Sequence, residues 1–289
     1  MAEIFEWKSD ADQVYTERYG SQVQTGRASD FNKHDNRYFI MDADGCELVL
    51  QANQDTQTGL TCWPSPESDL GQGTYPTIYV RRGILKAQGM AQFNCGAMND
   101  PFYPRLMKLA VEDDGHFVIE AQFVYFSSLK IDFADQPKVS ISGNALFDVD
   151  ADYIFMPSGH INVEDNAIVN FYANKFYAHL EAFMPSLALA PRITLGEGTP
   201  TVQFNGKSPD FPVIDFIQTD FIDEGVFNLK SGTKGKFVFK GIDNAFQRTA
   251  MLNKKVIAVD GITDANYVSR KLDLRNDILD GNLTVSLIY

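Results

Sequence analysis

The sequence predicts a mainly β protein, built either as an antiparallel β-sandwich or as barrel-like sheets with one or two short helices. Three observations lead to this prediction: apolar and polar residues alternate in many short runs, Phe and Tyr are abundant, and Gly, Asp and Asn separate the runs. Alternation places successive side chains on opposite sides of a sheet, and aromatic residues favour its pleated surface. Many short strands joined by turns are typical of sandwiches and barrels.

The clearest element follows the turn residues Asp113-Asp114-Gly115. The sequence alternates from Phe117 to Tyr125, which predicts a strand after a tight hairpin turn. Glu120 and Gln122 are expected on its exposed face. The residues expected on its buried face are Phe117, Ile119, Ala121, Phe123 and Tyr125.

Further strands are predicted along the whole chain because similar runs recur up to its last residues. Asp42-Ala43-Asp44-Gly45 separates two of them and is interpreted as a hairpin turn, since Gly adopts positive φ without strain. Residues 61–76 are rich in Pro and Gly and are predicted to form a loop. The other predicted strands are residues 37–41, 46–52, 77–81, 138–141, 145–149, 153–156, 167–172, 213–222, 236–239, 255–259 and 283–288.

Two short helices are predicted. Residues 8–19 form the first, with Ser9 or Asp10 as its N-cap. Residues 174–183 form the second, because they contain neither Pro nor Gly and Pro185 follows them. The apolar residues expected on one face of this second helix are Phe176, Leu180 and Phe183.

The length of 289 residues fits one large β domain over residues 1–289, or two closely packed β lobes divided near residues 145–200. Residues 195–212 contain many Gly and Pro residues and are predicted to form a loop, or an arm that reaches a neighbouring copy. No repeat of fixed period is visible in the chain.

The charge balance excludes several classes of function. The chain has 25 basic and 38 acidic residues, a formal net charge of −13. Proteins that grip phosphates, or that attach to anionic membranes, concentrate Lys and Arg instead. We therefore expect no specific nucleic-acid binding and no membrane attachment. Without a basic start followed by an apolar core, the protein is expected to be made in the cytoplasm without a signal peptide. Incorporation into a virion would be compatible with this.

Three carboxylates, Asp148, Asp150 and Asp152, resemble the start of a calcium-binding loop. The remainder of that loop does not match, because Tyr153 stands where Gly is required and Gly159 where Glu is required. We interpret the three side chains as a solvated surface, and whether they bind a cation stays open.

Other candidate residues do not form a recognisable motif. The histidines are scattered, and no nucleophile elbow or phosphate-binding loop is present. The odd number of cysteines predicts reduced, buried thiols. The sequence therefore assigns no catalytic, cofactor-binding or metal-ligating residue. The residues considered are His34, His116, His160 and His179, the cysteines Cys46, Cys62 and Cys95, and the loop segments Gly71-Gln72-Gly73 and Gly196-Glu197-Gly198.

Two classes of function remain. The first expectation is a self-assembling structural protein, such as a phage tail-tube, baseplate or capsid subunit, whose partners are other copies of itself and other structural proteins. The alternative is a carbohydrate-binding or carbohydrate-cleaving protein that uses exposed aromatic rings and a carboxylate pair. A cleft in which such a pair meets an exposed Trp or Tyr favours the alternative. The residues considered for it are Trp7, Trp63, Glu47, Glu120 and Glu181.

Overall fold

The computed structural model describes residues 2–33, 37–53, 60–61, 76–96, 108–127, 139–179, 190–208, 213–217, 222–242, 245–277 and 281–289. In these residues the chain winds repeatedly around one axis, and this arrangement is called here the coil. Each full turn of the coil places its strands parallel to the strands of the previous turn. The mainly β class predicted from the sequence is confirmed.

The elements are numbered in chain order. The helices are α1 (Ala245–Asn253) and α2 (Ala265–Ser269), and short 3-10 helices lie at Glu17–Tyr19 and Ala28–Phe31. The strands are β1 (Gln13–Tyr15), β2 (Gln22–Gly26), β3 (Tyr38–Ala52), β4 (Leu60–Thr61), β5 (Thr77–Gly96), β6 (Lys108–Ser127), β7 (Val139–Ile141), β8 (Leu146–Phe155), β9 (His160–Asp165), β10 (Ile168–Ala173), β11 (Lys175–Tyr177), β12 (Arg192–Gly198), β13 (Thr201–Gly206), β14 (Phe227–Leu229), β15 (Lys236–Lys240), β16 (Ile257–Val259), β17 (Leu272–Asp277) and β18 (Asn282–Leu287).

Strand pairing divides the coil into three faces. Face A runs through β1, β3, β5, β6, β7, β9, β12, β14 and β16. Face B runs through β2, β3, β5, β6, β8, β10, β13, β15, β18 and β17. Face C runs through β4, β5, β6, β8 and β11. The long strands β3, β5 and β6 bend at corners and contribute to more than one face.

The prediction of antiparallel pairing is wrong for most of this sheet. Among the described strands, only the β15–β18 and β17–β18 pairs are antiparallel. An alternating strand has the same pattern in either orientation, so the pattern alone does not determine its partner. β3, β5 and β6 each begin on face A and continue to face B in the same direction, so their pairing is parallel.

The two predicted hairpin turns are corners of the coil. β3 continues through residues 42–45 and pairs with β5 in the same direction on both sides of them. β6 likewise continues through residues 113–115. Gly45 and Asp113 have φ values of 64° and 53°. Positive φ therefore bends the strand from face A to face B at these points and does not reverse it.

Both predicted helices are wrong in the described residues. Residues 8–19 contain β1 and one 3-10 turn, and residues 175–177 form β11. Phe176 points into the core, where its ring centroid lies 5.1 Å from that of Phe204. Packing against neighbouring turns therefore overrides local helix propensity. Leu180 and Phe183 lie outside the described residues.

The predicted loop or arm at residues 195–212 is also largely strand. Leu195–Gly206 lies in β12 and β13, with a corner at Thr199 and Pro200. Residues 209–212 lie outside the described part of the chain. Gly198 and Pro200, two of the residues that suggested an arm, therefore lie at a corner of the coil.

Stacked aromatic rings fill the interior. Phe171, Phe204 and Phe239 are register neighbours on face B, and their ring centroids are separated by 5.3 Å and 5.0 Å. These distances match the spacing of about 4.8 Å between adjacent strands. One continuous apolar cluster of described residues extends from Phe5 to Leu287, and strand pairing joins β8 to β10 and β9 to β12.

Each end of the described coil is covered. At the first end, the side chains of Gln22 and Gln24 bond to the backbone of Phe5, and the Trp7 ring packs on Phe39 with centroids 4.7 Å apart. At the other end, β17 and β18 close face B as an antiparallel pair.

Within the described residues, no helix combines the length and apolar character needed to cross a membrane.

Candidate functional site

Face C presents aromatic side chains outward because the alternation of β6 shifts at the corner between face B and face C. Phe117 points into the core, as predicted. Residues 120–122 are all at least partly exposed, and alternation then resumes one residue later. Val124 is buried, whereas Phe123 and Tyr125, which were predicted to be buried, point outward. The corner therefore turns two expected core residues into surface residues.

The outward rings form a ladder along the coil. The ring centroid of Phe155 lies 5.0 Å from that of Tyr125 and 5.1 Å from that of Tyr177, each at an interplanar angle of 15°. A second pair, Phe123 and Tyr153, stacks at 5.8 Å. These separations lie in the range that aromatic pairs prefer, so the rings support one another along the ladder. A groove of about 400 Å³, called here the aromatic groove, is lined by four of these rings (all except Tyr125).

A histidine and a carboxylate stand at the margin of the aromatic groove. His179 lines the groove, and its Nδ1 atom lies 2.7 Å from Oδ1 of Asp223. This histidine was predicted to lie in a helix, but it follows the strand β11 directly. A carboxylate beside Nδ1 orients the imidazole and selects its tautomer.

A row of polar side chains crosses three strands on the outward side of face B. Glu120, Asp150 and Tyr172 are register neighbours on β6, β8 and β10. Their Cα atoms are therefore spaced by about 4.8 Å per strand. The ammonium of Lys86 lies 2.6 Å from Glu120, and that of Lys207 lies 2.5 Å from Asp150. The two lysines offset the repulsion between the adjacent carboxylates.

The row borders a polar cleft at the corner between faces B and C. The cleft has a volume of about 620 Å³, and its lining includes Glu120, Gln122, Asp150 and Lys207. Because Gln122 lines the cleft and the next residue, Phe123, lines the aromatic groove, the two depressions adjoin at this corner. We call the cleft, the row and the groove together the corner site.

Tyr172 is the exposed aromatic residue of the row, with 39% of its surface accessible. Burial of part of the ring, followed by the negative charges of Asp148 and Asp150, raises the pKa of Tyr172 above its ordinary value of 10.0. The hydroxyl therefore stays protonated at neutral pH and is able to donate a hydrogen bond to a ligand.

The three aspartates that resemble a calcium loop are held by protein groups. Asp148 lies 2.8 Å from Nε2 of His116. Its other oxygen accepts a hydrogen bond of 2.8 Å from the Asn170 amide. Asp150 and Asp152 share the ammonium of Lys207, at 2.5 Å and 3.5 Å. Across the described ranges, no group of three or more His, Cys, Asp or Glu residues is arranged to hold a metal ion.

His160 does not belong to the corner site. His160 lies on face A, where burial and then the positive charge of Arg192 lower its pKa below the ordinary value of 6.5. Its imidazole is therefore neutral at neutral pH. His34 lies outside the described residues.

The other candidates from the sequence have structural positions or are not described. The Trp7 ring packs at the covered first end of the coil, where the ammonium of Lys33 lies 4.7 Å from the ring centroid. Glu47 lies on β3, three strands from Asp150. Cys95 is buried and Cys46 is half-buried, both as reduced thiols. The candidates outside the described residues are Trp63, Glu181, Cys62 and Gly71-Gln72-Gly73.

The segment Gly196-Glu197-Gly198 ends β12 at a corner. A Cβ atom at Gly198 would overlap the backbone of Asp165, and its φ is 89°. The glycine therefore allows two turns of the coil to approach closely, which explains its presence without a bound phosphate.

Sequence reasoning considered Glu120 but missed Tyr172, Tyr153 and Lys207 as partners. Alternation predicted the strand that contains Tyr172, so its outward direction was readable from the pattern. The position of Tyr172 next to Asp150 depends on the register between two strands, which the sequence does not display.

Comparisons of the chain with protein-family models, with curated proteins and with solved structures found no match. We therefore interpret the corner site from its own residues.

Proposed function

We propose that the protein binds a polysaccharide at the corner site. The observation that carries this proposal is the row in which Glu120 and Asp150, two carboxylates that line an open cleft, are followed on the next strand by the exposed ring of Tyr172. Carboxylates accept hydrogen bonds from sugar hydroxyls, and an exposed tyrosine offers an apolar surface together with a hydroxyl donor.

The arrangement favours binding over cleavage. Glycoside hydrolysis requires one carboxyl group that donates a proton to the leaving oxygen and a second that acts as base or nucleophile. Glu120 and Asp150 are each paired with a lysine ammonium at 2.6 Å and 2.5 Å. Both carboxylates are thus placed to accept hydrogen bonds, and neither is placed as a proton donor.

The repeated geometry of the coil favours an extended ligand. Equivalent positions on successive turns recur about every 4.8 Å along the coil axis. The row and the aromatic ladder follow this axis on adjoining faces. An extended sugar chain along the corner would contact several turns at once, whereas a compact ligand would contact few of them.

Exchanging Tyr172 for Ala is expected to weaken polysaccharide binding about tenfold, since the variant loses an aromatic contact and a hydroxyl donor. Asp150→Asn is expected to weaken it by a similar factor because a charged hydrogen-bond acceptor is lost. A glycan array identifies the ligand, and isothermal titration of that ligand measures the affinity.

The matched control is Tyr38→Ala. Tyr38 is 36% exposed and lies on β3, away from the corner site. Its variant is expected to bind as the unmodified protein does, with circular dichroism confirming that all three variants fold. Equal affinity of the Tyr172→Ala and Tyr38→Ala variants for the glycan would show that the row does not bind it.

We also propose, as a second function, self-assembly into a larger structure such as a virion component. The support is the apolar surface of the first turn of the coil, which contains β1 and β2. Val23 is 61% exposed on face B, and Val14 and Ile4 are exposed near the same end. The positions that follow Val23 in register on the later strands of face B form one outward column. This column includes polar residues such as Asp148 and Gln203. An apolar end favours contact with another protein surface.

Sedimentation velocity with negative-stain images tests the assembly proposal. Rings, tubes or discrete oligomers are expected, and Val23→Lys is expected to dissociate them because a charge enters the apolar contact. Gln203→Lys places the same charge in the same column, away from the first turn, and is expected to leave the assembly intact. A monomer of 32.4 kDa at all concentrations would contradict the proposal.

A further inference from the structure

A cavity at the other end of face B combines positive charge with hydroxyl groups. Its volume is about 880 Å³, and it lies where the antiparallel strands β17 and β18 close the coil. Lys234, Lys236 and Arg275 line it together with one acidic residue, Asp273. Among the side chains that line the cavity, three positive charges and one negative charge contrast with the net charge of −13 for the chain. We call this depression the C-terminal cavity.

The two lysines are well placed for an external anion. Their backbone N–H groups donate to the carbonyl oxygens of Gly198 and Pro200, at 2.8 Å and 2.9 Å, so the backbone that carries them is held. Neither Lys234 nor Lys236 forms an ion pair with any residue that the structure describes. Asp273 does not compensate them, because it accepts from both Nε and Nη2 of Arg275 at 2.7 Å.

Polar and apolar groups complete the wall. Ser286 stands between Lys236 and Asp273 in the register of β15, β18 and β17, and thus places a hydroxyl beside the lysine. The Tyr289 hydroxyl donates to the carbonyl oxygen of Thr233 at 2.6 Å, which holds the exposed ring at the cavity. Cations, a hydroxyl and a fixed aromatic ring are suited to a ligand that has negative groups, hydroxyls and an apolar ring surface.

We propose that the C-terminal cavity binds a carboxylate- or sulfate-bearing unit of an acidic saccharide. This inference rests on the proposed polysaccharide binding and specifies the polymer as an anionic one. An anionic chain is repelled by most of this acidic surface, and the repulsion is screened beyond about 8 Å at physiological salt. The cavity is therefore a surface on which such a chain would gain electrostatic attraction. The corner site then contacts the hydroxyls and ring surfaces of further units.

The test uses a fluorescein-labelled uronate oligosaccharide and its methyl-esterified, uncharged form. Lys236→Gln and Lys234→Gln are each expected to weaken binding of the uronate form about tenfold, since each removes a charge-assisted hydrogen bond. Neither variant is expected to change binding of the esterified form. Lys240→Gln is the matched control, because Lys240 is an exposed lysine on the same strand β15 outside the cavity.

Separate results contradict the inference and the proposed function. If the uronate binds equally to the Lys236→Gln and Lys240→Gln variants, the cavity does not recognise the anion. If inorganic sulfate or a single-stranded DNA oligonucleotide binds as tightly as the uronate and depends equally on Lys236, the assignment to a saccharide is overturned. If Tyr172→Ala leaves both oligosaccharide forms bound as before while Lys236→Gln weakens the uronate, the inference stands and binding at the corner site fails.

Discussion

Replacing Phe204 by Ala is expected to lower the free energy of unfolding by about 4 kcal/mol. The Phe204 ring is fully buried, and its centroid lies 5.0 Å from that of Phe239 and 5.3 Å from those of Phe171 and Phe227. Truncation removes contacts on several sides at once. The rigid strands around the ring are unable to close the resulting cavity. Chemical denaturation measures the loss.

The control for this prediction is Phe246→Ala, which deletes the same atoms from helix α1. Phe246 is 78% exposed, so its removal is expected to change the free energy of unfolding by less than about 0.5 kcal/mol. Similar unfolding midpoints for the two variants would show that the interior stack of phenylalanines does not stabilise the coil.

Replacing Gly83 by Ala is expected to cost about 3 kcal/mol or more, because the corner between faces A and B has no room for a Cβ atom. Gly83 has φ of 82°, and an added Cβ would overlap the carbonyl oxygen of Ala43 and approach that of Cys46 to 2.8 Å. Both oxygens belong to the backbone of the neighbouring turn, which is held by strand pairing. The variant is expected to unfold at lower temperature and to be cleaved faster by protease.

Gly45→Ala separates backbone strain from overlap. Gly45 lies at the same corner one turn earlier, with φ of 64° and nothing within 4 Å of an added Cβ atom. Its substitution is expected to cost only about 1 kcal/mol for the left-handed conformation. Equal losses at Gly45 and Gly83 would contradict the role of close contact between turns.

The corners determine the corner site as well as stability. At the corner of β6 between faces B and C, residues 120–122 are all at least partly exposed, which places Glu120 in the row and Phe123 in the aromatic groove. A strict alternation from Phe117 would have buried Phe123. The candidate site therefore exists because the coil bends in the middle of a long strand.

The local features of this protein could be predicted from its sequence. Alternation identified the strands around Phe117, Val149 and Val169, and the inward direction of these residues was predictable because a period of two is a property of one strand. Positions with positive φ, such as Gly45, were also predictable, because the preference for Gly depends only on the local backbone conformation. The acidic balance of the chain follows from composition alone.

The tertiary structure was needed to establish the parallel pairing, the outward direction of Phe123 and the proximity of Glu120, Asp150 and Tyr172. These three residues come from successive turns, and the segments between the turns differ in length, so no fixed period reveals their register. The Gly-rich segment around Gly198 was predicted to be a loop because the backbone that it approaches is distant in the chain. Contacts between turns depend on how the whole chain closes around its core, and a local pattern carries no information about that closure.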